Sequence, residues 1–407
     1  MNMRLTTTFD IFAWYDAVRA SGKPVAWCSA FAPAEVLVAM GIVPVYPENH
    51  AAMLGALSET RNPDAPYSRA ALTMADRNGR TGPRLCSYAL ADLGVLDGAS
   101  SPIGALPNPD LLYACNSQCA VVERWGVDVQ RHFRAQGREV AQYVLRAPPL
   151  TRTEAHTPEA LAGFASQLTQ HANDIAHRFG LRYDEARLAE VVAESATANR
   201  LWQRCCELGR HRPAPWTSFD AFTAMAPIVI ARGTPACTDF YRRLLAELEQ
   251  RVGDGIAAVP GERHRLVWDA IPIWPRKNWL ARFFAARGVA VVASTYTHSW
   301  WFDFDATRAF ASLVQRYAWN TMNRSGDWVL DWTVGIVRDY HADGIVAHWN
   351  RSCGVWNSYV KRRVPGFAAA HVPTTVIEAD MVDAQAFDEQ RISMQLETFL
   401  ASLEKCP

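Results

Sequence analysis

Nine cysteines are scattered through the 407 residues: Cys28, Cys86, Cys115, Cys119, Cys205, Cys206, Cys237, Cys353 and Cys406. A thiolate is both a nucleophile and a soft metal ligand, so each is a candidate for redox or metal chemistry. No CxxC pair occurs, which leaves a thioredoxin-like or zinc-ribbon site without support. The count is odd and the chain long, so a disulfide framework is not expected. Metal ligation by cysteines distant in sequence stays open. Carboxylates and histidines could add proton transfer, but only where the fold delivers them to a cleft.

Those elements can be read from apolar spacing. Residues 8–21 have a helical pattern. KPVAWCS reads as a buried strand, APAEVLVAMG as a helix closed by Gly41, and IVPVYP as a second strand. Residues 48–80 are polar and punctuated by Gly and Pro, which predicts a long functional loop with short helices. A helix around 83–93, a strand in PDLLYAC, a helix over 119–136 and a strand in EVAQYVL follow. Residues 155–255 carry almost no strand signal and read as helices without an obvious active-site motif. Strands return in RLVWDAI, VAVVAST, DGIVAHW and TTVIEAD. A last helix is predicted to start near Asp383, a suitable N-cap, with Ile392, Leu396, Phe399, Leu400 and Leu403 on its apolar face. The βα alternation predicts an α/β fold of two doubly wound parallel-sheet domains, flavodoxin- or Rossmann-like, joined by a helical linking region. The expected boundaries are 1–154, 155–260 and 261–407. The two halves show no close sequence repeat but could share a topology.

Composition narrows the function classes. Lys plus Arg equals Asp plus Glu at 41 each, and no long basic run occurs, which argues against a nucleic-acid partner. No stretch approaches the roughly 20 apolar residues of a membrane span. The start, MNMRLTTTFDIFAWYDAV, has no basic flank followed by an apolar core, so a cytoplasmic protein is expected.

Ligands of open parallel sheets bind beyond the carboxyl ends of the strands. Cys28 and Ser29 follow the first strand, and Glu48, Asn49 and His50 the second. Asn116, Ser117, Gln118 and Cys119 follow PDLLYAC. Tyr296, Thr297, His298 and Trp300 follow VAVVAST, Asn350 to Cys353 follow DGIVAHW, and Asp380 follows TTVIEA. Loops are polar in any protein, but that alone explains less well why Cys119 and Cys353 sit there. Cys115 ends an apolar strand and is expected to point into packing. Cys205 and Cys206 are adjacent on a helix and diverge. Cys28, Cys237 and Cys406 read as structural, in line with the usual fate of a free cysteine.

Several blocks together resemble the 2-hydroxyacyl-CoA dehydratase and benzoyl-CoA reductase family. PVAWCSAFAPAEVLVAMGIVPVYPENHAAM is similar to its opening block. LCSYALADLG, PDLLYACNSQCAVVERW and DGIVAHWNRSCGVW resemble its three cysteine motifs, and PTTVIEADMVDAQAFDEQRISMQLETFLASL its closing strand and helix. The blocks span nearly the whole chain. Departures lie at Gly354 to Asn357 and in ISMQLETF, where relatives often carry another basic residue. The resemblance implies that Cys86, Cys119 and Cys353 hold one [4Fe–4S] cluster, leaving one iron open. The three are 33 and 234 residues apart, so only folding could bring them together. Ser29 and Glu48 are then candidates near the open iron. Glu48 could move a proton or merely cap a helix; Arg351 could steady the cluster or thioester or simply pair with an acidic neighbour.

The family's chemistry adds one low-potential electron to a CoA thioester. A separate ATP-hydrolysing activator supplies it, and the chain itself has no GxxxxGK[ST] phosphate loop. A homologous second subunit is implied. Two outcomes share this machinery: reduction of an aryl-CoA, and loss of water from an (R)-2-hydroxyacyl-CoA through a ketyl radical. YPENHAAM and CNSQCAVVERW lean toward the benzoyl-CoA reductase branch. A non-catalytic electron-transfer scaffold is the alternative of another class, disfavoured because the cysteines are retained. A dinucleotide-binding Rossmann enzyme is disfavoured because no GxGxxG follows the first strand.

Overall fold

Apolar runs rich in Val, Ala and Ile form eight strands in two separate sheets. The computed structural model describes residues 5–61, 66–80, 85–148 and 157–404. In the first half the strands are β1 (Val25–Cys28), β2 (Val43–Val45), β3 (Leu111–Cys115) and β4 (Ala141–Leu145). In the second they are β5 (His264–Asp269), β6 (Val289–Ser294), β7 (Gly344–Asn350) and β8 (Thr374–Ala379). All pairings are parallel, and the orders are β2-β1-β3-β4 and β6-β5-β7-β8. The two sheets share one topology without a matching sequence, as their strand patterns allowed.

Burial follows position in the sheet. The central strands β1 and β3 are buried at every residue, and β5 and β7 nearly so, because helices cover both faces. The edge strand β8 alternates between buried and half-buried residues, with one face turned toward solvent. Pro44 lies in β2, an edge strand, where its missing N–H removes no ladder bond the sheet requires.

The region between the sheets is helical, as predicted. Its long helices are Pro158–Phe179, Glu185–Glu207 and Pro235–Gly253. Thr157 and Asp184 cap the first two, and Gly180 ends the first in the left-handed conformation at φ 62°. One core cluster joins these helices to β1 and β3. Inside it Arg232 and Glu35 form an ion pair at 3.3 Å with both side chains fully buried. Glu35 also accepts hydrogen bonds from Ser195 at 3.0 Å and Tyr317 at 2.7 Å. Arg232 donates to the carbonyls of Ala30 and Ala32 at 3.4 and 3.3 Å. No sequence motif had marked Arg232.

Three expectations are corrected. Residues 48–80 are not mainly loop: helices cover Pro47–Arg61 and Tyr67–Arg77. Polar residues spread along these helices, some of them buried (Glu48, His50, Ser58 and Ser68), gave the composition of a loop. The helix expected at 83–93 is Ser87–Leu96, which puts Cys86 at its N-cap rather than inside it. Asp383 caps only a 3₁₀ turn, and Asp388 caps the last helix, Glu389–Leu403. The five predicted apolar residues of that helix are all buried.

The buried pair predicts a specific instability. Arg232→Met strands the Glu35 carboxylate in the core and should cost about 3–5 kcal/mol of unfolding free energy. Adding Glu35→Gln should recover part of it. Denaturant midpoints of the three proteins check this; an unaltered midpoint in Arg232→Met would contradict it.

Candidate active site

The strand order reverses between β1 and β3 in one sheet and between β5 and β7 in the other, and such switch points are where open sheets bind ligands. Here the two feed one cavity of about 80 Å³. Ala30 and Phe31 after β1, Gln118 and Cys119 after β3, Ile271 after β5 and Cys353 after β7 all line it. Glu48 after β2, Tyr296 after β6 and Met381 after β8 join them, with Cys86 from the segment between β2 and β3.

Each of the three thiols sits at a helix start. Cys86 is the N-cap of Ser87–Leu96 and Cys353 that of Gly354–Ala369; Cys119 directly precedes Ala120, which caps Val121–Ala135. Burial pushes all three pKa values up to about 12. The thiols also raise one another in a closed ring, Cys119 acting on Cys86, Cys353 on Cys119, and Cys86 on Cys353. Backbone N–H groups of the first helical turns oppose this, from Ala89 and Tyr88, from Val121 and Val122, and from Trp356 and Val355. The site therefore presents negative-charge-accepting helix ends around three thiols that burial holds neutral. Among the described residues, no three His, Cys, Asp or Glu side chains are close enough to hold a single metal ion. A tetrahedral zinc would need its sulfurs within roughly 4 Å of one another.

Cross-links between the halves fix these cysteine segments. Ser352 accepts a hydrogen bond from the Ser87 N–H at 3.2 Å, lies 3.0 Å from the Ser87 hydroxyl, and donates to Asp380. Asp380 is anchored by the N–H groups of Val382 and Asp383 at 2.8 and 2.9 Å. The segments holding Cys86 and Cys353 are thereby tied together. The helix after Cys86 also packs so closely on Tyr67–Arg77 that a Cβ at Gly94 would lie 1.9 Å from the Ala71 carbonyl oxygen.

Glu48 is buried in the first turn of its helix, not in a loop. One carboxylate oxygen accepts from Gln118 Nε2 at 2.7 Å and the other from the Ala30 N–H at 3.2 Å. Burial raises its pKa to about 7, with those two hydrogen bonds opposing the shift. It can therefore hold or release a proton near neutral pH. Gln118 in turn accepts from the Phe31 N–H at 3.0 Å, which locks its orientation.

The other predicted residues stand elsewhere. Arg351 is not among the residues that line the cavity; it pairs with Glu378 at 2.7 Å, both side chains about half exposed, which is the acidic-neighbour alternative its sequence left open. As the residue directly after β7, it turns outward while Ser352 and Cys353 turn inward. Ser29 does not line the main cavity. It accepts from the Cys115 N–H at 3.1 Å and borders a smaller space that shares Glu48, Val122 and Trp125 with the first. His50 meets Ser101 at 2.8 Å, and His298 lies between Ser294 and Tyr340, its pKa pushed down to about 3 by burial. Cys115 contacts Ser117 at 3.0 Å inside the packing, and Cys28, Cys205, Cys206 and Cys237 are buried. Cys406 lies outside the described residues. Sequence reading missed Tyr88, Trp125 and Trp356, because an aromatic residue on a helix carries the same signal whether it fills a core or walls a cavity.

Glu48 should titrate near neutral pH. An infrared band of a protonated carboxyl should be present below pH 7, fade as pH rises through 7, and be missing from Glu48→Gln. A band that persists unchanged to pH 9, or is retained in that variant, would contradict the assignment.

Comparison with known proteins gives the family of the chain. The family described as 2-hydroxyglutaryl-CoA dehydratase, D-component, matches residues 29–403. The (R)-phenyllactyl-CoA dehydratase alpha subunit of Clostridium sporogenes is 25% identical over 92% of this chain and 88% of its own length. The (R)-2-hydroxyisocaproyl-CoA dehydratase alpha subunit of Clostridioides difficile is 25% identical over 95% and 92%. A benzoyl-CoA reductase subunit of Thauera aromatica is 23% identical over 79% and 77%. The lean toward the reductase branch is thus only partly supported: these relatives are mostly dehydratase subunits, three of which match over 92–95% of the chain against 79% for the reductase subunit, and YPENHAAM and CNSQCAVVERW are motifs too short to separate the branches. Among the described residues, no helix is long and apolar enough to cross a membrane. Members of the family are components of multi-subunit enzymes, and this chain belongs to it: it is an enzyme subunit of the 2-hydroxyacyl-CoA dehydratase and benzoyl-CoA reductase type.

Proposed function

We propose that this chain is the iron–sulfur subunit of an (R)-2-hydroxyacyl-CoA dehydratase, with Cys86, Cys119 and Cys353 holding a [4Fe–4S] cluster. The observation that carries the reading is the meeting of three thiols, each at a helix start, in one cavity beside a carboxyl that titrates near neutrality. The donor set fits such a cluster. Thiols raised by burial and by one another become thiolates once a cationic metal centre binds, and the helix N–H groups then stabilise the sulfur charge. Three cysteines from three separate segments lining one cavity are the kind of thiolate set an iron–sulfur core takes. When bound, the cluster supplies a low-potential electron and one iron open to a further ligand. A separate ATP-hydrolysing activator delivers that electron, and a homologous second subunit completes the enzyme.

The chain's own residues handle the protons. Dehydration breaks the C2–O bond and one C3–H bond and forms the C2–C3 double bond. Protonated Glu48 can give its proton to the departing hydroxyl, and the ionised carboxylate can take the C3 proton, which returns Glu48 to its starting state. Gln118 and the Ala30 N–H hold the carboxylate in place in both states. The apolar, aromatic wall excludes bulk water. Ser29 acts from behind, fixing the β1–β3 crevice through Cys115. The second reading, an aryl-CoA reductase, is favoured only by that aromatic wall and by the Thauera relative.

Two experiments test the reading. Anaerobically prepared protein should carry about four irons with equal acid-labile sulfide, as a cuboidal cluster requires. Cys86→Ser, Cys119→Ser and Cys353→Ser should lose or distort it and Cys205→Ser should not; stoichiometric zinc without sulfide would refute the cluster. For the reaction, the complex is pre-reduced, freed of activator and supplied with substrate. Many turnovers per stored electron with a 2-hydroxyacyl-CoA are expected; product limited to the stored electrons, formed only from an aryl-CoA, would establish the reductase reading instead.

A further inference from the structure

The cavity wall is strongly biased in chemistry. Phe31, Trp125, Trp300, Trp356, Met322 and Met381 supply most of its face, and Phe31 stacks on Trp300 at 4.7 Å. Its polar groups are Glu48, Gln118, two tyrosines, Ser299 and the three thiols. These are committed to one another or to the backbone: Gln118 to Glu48, Ser299 to the Thr295 carbonyl at 2.7 Å, and Tyr88 to Trp274 and Tyr296. Among the described residues, no lysine, arginine or histidine lines the cavity.

Three cations that stand close to the wall or to Cys353 are already paired with carboxylates. Arg363 lies 5.8 Å from the Trp356 ring and pairs with Asp269 at 2.9 Å. Arg232 lies 5.4 Å from the Trp300 ring and pairs with Glu35. Arg351 is turned to the surface with Glu378. A second carboxylate brought into this space would thus meet aromatic faces, whose quadrupole repels anions. Among the described residues lining the space, its ionisable neighbours would be Glu48, the tyrosines and the thiols, all of the same sign when charged. An unpaired buried charge is among the most costly things a binding site can accept.

We infer that the acyl group this site accepts is uncharged and apolar, branched or aromatic, and bears no second carboxylate. The inference rests on the CoA-thioester reading above and deepens it to a substrate class.

The test is equilibrium binding to the complete anaerobic complex, without activator or reductant, so that no turnover intervenes. The probes are (R)-2-hydroxyisocaproyl-CoA and (R)-2-hydroxyglutaryl-CoA, nearly equal in length and differing chiefly in an isopropyl against a carboxylate end. The neutral thioester should bind roughly 30-fold or more tightly than the charged one, the scale set by leaving a buried charge unpaired. Equal or tighter binding of the glutaryl thioester would overturn the inference while leaving the thioester reading intact. Binding of neither above free CoA would overturn that reading, and this inference with it.

Discussion

A fully buried ion pair, Arg232 with Glu35, holds together the parts of the chain that make the site. An unpaired charge in a core is intolerable, so the pair compels its surroundings to satisfy it. Glu35 comes from the helix after β1, Arg232 and Ser195 from the central helical region, and Tyr317 from the second half. The remaining donors of Arg232 go to the carbonyls of Ile228 and Val229 on its own segment and of Ala30 and Ala32. That loop carries the N–H group that holds Glu48, and Phe31, which stacks on Trp300. A charge pair directly behind the cavity wall thus helps to set its shape.

The two sheets repeat one topology, and the consequence is electrostatic as well as geometric. Each switch point opens between loops that lead into helices, so bringing the two together gathers helix N-termini around one space. Cysteines at those starts are drawn two ways. Burial and their neighbours hold the protons on, while the N–H groups favour the thiolates. The Ser87, Ser352 and Asp380 contacts pin segments from opposite halves, so the balance does not depend on mobile loops.

Glu48 shows how opposing influences can leave a buried carboxyl near neutrality. Burial alone would push a carboxyl far up, and two good hydrogen bonds alone would pull it down; together they leave it at about 7. Its donors are rigid because Gln118 is itself anchored by Phe31. The same wall that desolvates Glu48 bars other charges from the space.

Sequence alone determined the strands, because central strands of parallel sheets must be continuously apolar and their ends must be polar. PVAWCS, PDLLYAC and DGIVAHW are legible for that reason, and with them the places of Cys119 and Cys353. Resemblance of motif, not spacing, singled out Cys86, whose helix begins later than its pattern suggested. The final helix kept its apolar face while its cap shifted from Asp383 to Asp388, since periodicity reports a face more reliably than an end. What lay outside local pattern needed the tertiary structure. Whether Arg351 turned in or out hinged on a carboxylate 27 residues away. Arg232 found its partner 197 residues away, and Trp125 and Trp356 became cavity wall only because two switch points were brought face to face. Side-chain direction and long-range pairing are settled by packing between elements, and no local stretch of sequence encodes them.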